Sequence, residues 1–159
     1  MFLAADLIAV LAAGFLAVLA LRRHRLTRAL LLRTALSGVI AILLTLLLGH
    51  AVHDPRPFIA EHYAPLTHAS TDNGFPSDHV LMAALMTGWV AWLSRAWPAF
   101  AVGTLAIAAG RLGIGAHHTL DVLGSLVIAA LSLTAARLMP LPDQWRSPLL
   151  SGTSPRTSL

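Results

Sequence analysis

Five apolar runs constrain this chain more than anything else in it, because each approaches the length of a bilayer crossing. A hydrocarbon core of about 30 Å takes about 20 helical residues. Residues 2–21 form such a run, broken only by Asp6, and residues 29–48 form a second, interrupted by Arg33. Residues 80–93 continue a helix that can begin at Ser77. Residues 99–109 are a shorter fourth run, extendable through Pro98 and Arg111, and residues 120–138 are a fifth with only Asp121 charged. The composition points the same way: 57% of the 159 residues are hydrophobic and 11% charged, against about 25% charged in soluble domains. A single soluble core cannot absorb that much apolar side chain. A cytosolic enzyme, a disordered tail and a disulfide scaffold are excluded, the last because the chain has no cysteine. The expected architecture is all-α, a polytopic integral membrane bundle of about five transmembrane helices. The first run has no cationic start and is too long for a signal peptide.

The charges divide by side. All eleven basic residues are arginine, and Arg22, Arg23, Arg25, Arg28 and Arg33 crowd the junction of the first two runs. Arg95 follows the third run, and Arg137, Arg146 and Arg156 follow the fifth. With five spans these nine share one face, which the positive-inside rule makes cytoplasmic, with the N-terminus outside and the C-terminus inside. The net charge of +4 is thereby topological, and no nucleic-acid partner is expected. Arg56 and Arg111 are the two arginines on the outer face, with seven of the eight histidines and with Asp54, Glu61, Asp72, Asp78 and Asp121. Residues 58–70 read as a short helix along the membrane surface. Residues 1–140 are expected to form the transmembrane domain, and residues 141–159 a polar cytoplasmic tail, mobile from Pro140 onward.

Three strings on the outer face carry chemistry. In His53-Asp54-Pro55-Arg56-Pro57 two prolines hold the chain extended and aim one guanidinium, a rigid fork suited to phosphate oxygens. Taken alone, Arg56 reads more readily as an interfacial arginine anchored to lipid headgroups. In Phe75-Pro76-Ser77-Asp78-His79, Ser77 is a natural N-cap and the free amides behind it form an anion site facing His79. The bland alternative is a plain cap with a surface histidine. In the string 110–121, His117 and Asp121 stand four apart and share a helix face. A carboxylate on one imidazole nitrogen fixes the tautomer and makes the other nitrogen a nucleophile or base. A structural hydrogen bond is the alternative for that pair, and His118 faces elsewhere. A metal site built from His79, His117, His118 and Asp121 competes poorly, because two arginines beside it repel a cation.

Together the strings resemble the three signature motifs of the type 2 phosphatidic acid phosphatase superfamily, whose pattern is K-x6-R-P, P-S-G-H and S-R-x5-H-x3-D. Arg56-Pro57, Pro76-Ser77-Asp78-His79, and Arg111, His117 and Asp121 match in order and spacing, over roughly residues 49–125. The Pro-Arg-Pro-Phe string and the Asp78 variant look most like the bacterial undecaprenyl-diphosphatase branch. The resemblance implies that His117 is the nucleophile, Asp121 its positioner and His79 the general acid. It further implies that Arg56, Arg111, Ser77 and the amides near Asp78 bind the phosphoryl group, with no metal or other cofactor. The implied substrate is undecaprenyl diphosphate or another lipid phosphate (phosphatidate, phosphatidylglycerophosphate or lipid A), met at the periplasmic or extracellular face. A catalytically silent lipid-binding protein is the contrasting reading. The chain departs from the pattern where the family lysine falls, at Gly49, and it has no lysine at all. Either His50 or His53 substitutes for it, or the site works with one fewer cation. Asp78 for glycine and Gly110 for serine are further departures, and the chain has one span fewer than the family's usual six.

Overall fold

The computed structural model describes residues 6–64 and 71–149. Among these it contains five long helices and no strand: α1 (Leu7–Leu21), α2 (Arg28–Ala51), α3 (Asp78–Leu93), α4 (Trp97–Gly113) and α5 (Thr119–Leu138). Helices α2 to α5 each cover one of the apolar runs, and α1 lies within the first. Thr27 starts α2 by accepting the Leu30 amide at 3.0 Å on its hydroxyl, and Pro98 sits in the first turn of α4, where a missing N–H costs nothing.

Helix α3 is the centre of the bundle, packed against α4 and α5 and crossed by α1, while α2 lies chiefly along α5. Its buried face (Val80, Ala83, Met86 and Val90) meets Ile107 of α4 and Leu11 of α1, and Leu81 and Leu85 pack with Ala41 and Ile128. Polar side chains fasten these apolar contacts. Trp89 donates to Ser37 across α3 and α2 at 2.9 Å, and the Thr87 and Thr104 hydroxyls meet at 2.9 Å between α3 and α4. Such bonds suit a surrounding that cannot solvate unpaired groups. The outward faces stay apolar. Leu47 of α2, Val102 of α4 and Val127 of α5 are more than half exposed, the reverse of a water-facing surface.

Two helices are long and apolar enough to cross a membrane: the 24-residue α2 and the 20-residue α5. At a rise of about 1.5 Å per residue they reach about 36 and 30 Å. Helices α1 and α3 are apolar but shorter, at 15 and 16 residues.

Two expectations need correcting. The surface helix over residues 58–70 is, in its described part, a single turn, Pro57–Ala60, with Phe58 buried. Residues 65–70 lie outside the described residues. The chain after Pro140 is not a loose tail as far as Leu149. It forms a turn at Asp143–Arg146, then pairs Pro148 with Thr27 and donates the Leu149 amide to the Leu26 carbonyl at 2.8 Å. That segment straps the end of α5 to the start of α2; residues 150–159 lie outside the described residues.

Candidate active site

The three strings come together where α2 and α4 end and α3 and α5 begin. His117, just ahead of α5, is 4% exposed. Its Nδ1 lies 2.9 Å from the Gly74 carbonyl and 3.2 Å from Asp121 Oδ2. Its Nε2 lies 3.4 Å from Arg56 Nη1 and 3.2 Å from Arg111 Nη2. A guanidinium can only donate, so Nε2 is the acceptor and the ring proton sits on Nδ1, shared between Gly74 and Asp121. The free lone pair of His117 therefore points at two cations. Burial first, and then the charges of Arg111 and Arg56, push the His117 pKa down to about 3, against an opposing pull from the Gly74 carbonyl. The ring is neutral and available at any pH near 7.

Each partner is held from more than one direction. Asp121 is fully buried in the first turn of α5, where its Oδ2 also accepts the His118 amide at 2.9 Å. Arg56, extended between its two prolines, donates from Nε to the Asp72 carbonyl and from Nη1 to the Ala116 carbonyl, both at 3.3 Å. Arg111 comes from the last turn of α4. Ser77 precedes α3, and its fully buried Oγ makes no capping bond and has no hydrogen-bond partner among the described residues. A buried hydroxyl left unbonded is costly unless something else occupies its direction. Beside it Ser125 Oγ donates to both the Ser77 carbonyl at 2.9 Å and the Asp121 carbonyl at 2.8 Å, tying the starts of α3 and α5 together. His79 stands half-buried in the first turn of α3, within electrostatic reach of Arg56, Arg111 and His117.

Asp78 is exposed and forms no ion pair among the described residues. It stands at one end of an apolar groove of about 500 Å³ between α2 and α3, lined by Ala41, Ile42, Leu46, Leu81 and Met82. The two lysine substitutes are not drawn in. His50 Nδ1 lies 2.6 Å from the Leu46 carbonyl of its own helix, and His53 is exposed without a bond to any site residue.

Several residues that hold the site escaped the sequence reading. Asn73 donates to the Gly49 and Val52 carbonyls at 2.8 Å and accepts the Asp54 amide at 2.9 Å, pinning the loop before α3 to the end of α2. Gly74 leaves no room for a side chain: a Cβ there would lie 2.9 Å from the Asp54 carbonyl and 3.0 Å from Asp121 Oδ2. Gly115 has φ +64°, and a Cβ on it would strike Tyr63, whose hydroxyl donates to the Gly115 carbonyl at 3.2 Å. The left-handed turn and the close tyrosine both require glycine. His118 starts α5 and brings Nδ1 within 2.9 Å of Asp54 Oδ1. The sequence signal for Asp54 was its place beside Arg56; for Asn73 and Gly74 there was none.

Asp54, His118 and Asp121 present ligand atoms within 4.8 Å of one another, the grouping among the described residues that could hold a metal. It shares only His118 and Asp121 with the set considered from sequence. Its donors already serve protein partners: Asp54 Oδ1 faces His118, and Asp121 Oδ2 holds His117 and the His118 amide.

The family model described as the PAP2 superfamily matches residues 26–145, which contain all three strings. The undecaprenyl-diphosphatase BcrC of Bacillus subtilis (strain 168) is 32% identical over 100 residues, 62% of this chain and 51% of the relative. A protein of Escherichia coli (strain K12) provisionally named for the same activity, YbjG, is 28% identical over 115 residues, 70% of this chain and 58% of the relative. The chain thus aligns with only a little over half the length of either relative. No solved structure matches it.

Proposed function

The chain belongs to the PAP2 superfamily, and from that premise we propose that it is a membrane lipid diphosphatase that hydrolyses undecaprenyl diphosphate through a phosphohistidine. One observation carries the reading: His117 Nε2, unprotonated, faces Arg56 and Arg111, while its Nδ1–H is fixed by Asp121 and Gly74. Two cations around a lone pair form the surrounding that a phosphoryl group needs if it is to be attacked there. In that reaction Nε2 bonds to the terminal phosphorus, and the bond from phosphorus to the bridging oxygen breaks. The electron pair leaves with the lipid monophosphate, which takes a proton from His79. Water then attacks the phosphorus with its proton passing to His79, the N–P bond breaks, and inorganic phosphate departs. Arg56, Arg111, the Ser77 hydroxyl and the first amides of α3 bind the phosphoryl oxygens as charge shifts among them. Asp121 and the Gly74 carbonyl stabilise the positive charge that His117 gains.

The apolar groove between α2 and α3, with Asp78 at one end beside His79, supports a long lipid tail as the rest of the substrate. The names of the two relatives support an isoprenoid diphosphate over phosphatidate, phosphatidylglycerophosphate or lipid A. In the bilayer all five helices cross, and the site lies at the outer interface. The two ends of the bundle support that orientation. Arg25, Arg33, Arg137 and Arg146 gather at one end, and the histidine cluster lies at the other.

The test is phosphate release from a panel of purified lipid phosphates, with and without chelator. Undecaprenyl diphosphate is expected to be cleaved fastest, chelator to change nothing, and His117→Ala to abolish turnover. Wild-type rates in His117→Ala would overturn the mechanism, and faster cleavage of phosphatidate would overturn the substrate assignment alone.

A further inference from the structure

At the end of the bundle opposite His117, four arginines from separate parts of the chain converge on one cavity of about 440 Å³. Arg25 comes from the α1–α2 junction, Arg33 from the second turn of α2, Arg137 from the end of α5, and Arg146 from the strap that follows. Thr27, Trp92 and the apolar Ala29, Leu30 and Ala91 complete the wall. The strap builds this cavity: the Thr27–Pro148 pairing and the Leu149–Leu26 hydrogen bond bring Arg146 back against the start of α2.

Charges that serve only to orient a membrane protein need nothing more than a place near the helix ends. They gain nothing from facing one another, since like charges gathered in one recess repel. Little protein charge offsets them here. Among the described residues, the one carboxylate ion-paired to any of the four is Asp143, 3.4 Å from Arg146 Nε, with both side chains largely exposed. Arg33 donates from Nη2 to the Met139 carbonyl at 3.4 Å, and its Nε is buried with no hydrogen-bond partner among the described residues. The recess thus holds excess positive charge, unused planar donors and an indole wall at the depth where α3 ends.

We propose that this recess is a second anion site, separate from the active site, that takes a phosphate-bearing group. Guanidinium forks from several directions match the oxygens of a phosphate better than they match a lone carboxylate. The source is either the phosphodiester headgroup of an anionic phospholipid from the inner leaflet or free phosphate. Occupancy would neutralise the cluster and hold the strap, α2 and α5 together, so binding stabilises the fold by mass action.

The whole chain in neutral detergent, titrated separately with short-chain phosphatidylglycerol, inorganic phosphate and short-chain phosphatidylcholine, tests this through the unfolding midpoint. Running each titration also in Arg111→Gln separates the recess from the active site. A saturable rise with phosphatidylglycerol that persists in Arg111→Gln identifies a lipid headgroup; a rise with inorganic phosphate at lower concentration identifies the soluble ion. Each arginine lost is expected to weaken binding roughly fivefold, so Arg33→Gln with Arg137→Gln weakens it about 25-fold. Wild-type affinity in that double variant, or no preference over phosphatidylcholine, overturns the proposal. Should the double variant not fold, Arg146→Gln at its exposed position tests the same site, with roughly fivefold weaker binding expected and unchanged binding decisive against it.

Discussion

A single methyl group at position 74 would test whether the His117 ring is held as described. In Gly74→Ala the new Cβ starts 2.9 Å from the Asp54 carbonyl oxygen and 3.0 Å from Asp121 Oδ2. The first of these is backbone already bonded to the Gly74 amide at 2.9 Å. Relaxed carbon contacts begin at about 3.5 Å, so the loop must retreat by roughly half an ångström. The Gly74 carbonyl then moves from 2.9 Å to the edge of hydrogen-bonding distance from His117 Nδ1. A hydrogen bond to a group that becomes charged contributes about 1.5–3 kcal/mol, which is a fall in kcat of roughly 10- to 150-fold. KM should stay within about threefold, since Arg56 meets the new methyl only at ordinary contact, 3.5 Å from its Cγ. Initial rates of phosphate release from undecaprenyl diphosphate in detergent micelles measure both constants. A kcat within twofold of wild type, with an unchanged unfolding midpoint, would refute the claim that the carbonyl positions the nucleophile.

Other outcomes follow from the same geometry. Ser77→Ala removes a buried hydroxyl with no hydrogen-bond partner among the described residues, so the unfolding midpoint should hold while inhibition by phosphate weakens about fivefold, the value of one neutral hydrogen bond. His117 titrates near 3 when folded and near 6.5 when unfolded, so the unfolded chain binds the extra proton between those values. The contribution of His117 to stability is complete above about pH 6.5 and declines as the pH falls toward 3; across that window the unfolding midpoint should fall more steeply with pH in the wild type than in His117→Ala. Gly49→Lys restores the cation that the family pattern carries. A Cβ at Gly49 meets only the Phe75 carbonyl, at 3.5 Å, so the variant should fold and bind orthovanadate severalfold more tightly, as measured by inhibition.

The helices were readable because long apolar runs with few charges favour helix, and the limits of the last four runs shifted by only a few residues; the start of the first lies outside the described residues. The residues of the candidate site were readable because His117 and Asp121 lie four positions apart and the other strings carry their spacing locally. Asn73, Gly74 and Ser125 were not, because their work is done through backbone carbonyls of distant segments, and no residue pattern announces a carbonyl. The strap at 143–149 was hidden for a related reason. It holds on by an amide–carbonyl bond and one bridge, so its polar, proline-bearing sequence reads as tail.

The Ser125 hydroxyl, shared between the Ser77 and Asp121 carbonyls, has a consequence for life in a real bilayer. Helices adjust to a thicker or thinner membrane by tilting, and α3 carries His79, the proposed acid, while α5 carries Asp121, the proposed holder of the nucleophile. A bond from the second turn of α5 to the N-cap residue of α3 couples their tilts. The spacing of His79 and His117 is thereby insulated from lipid composition, and the rate of the chemical step should vary less from membrane to membrane than the tilt of the helices that carry it.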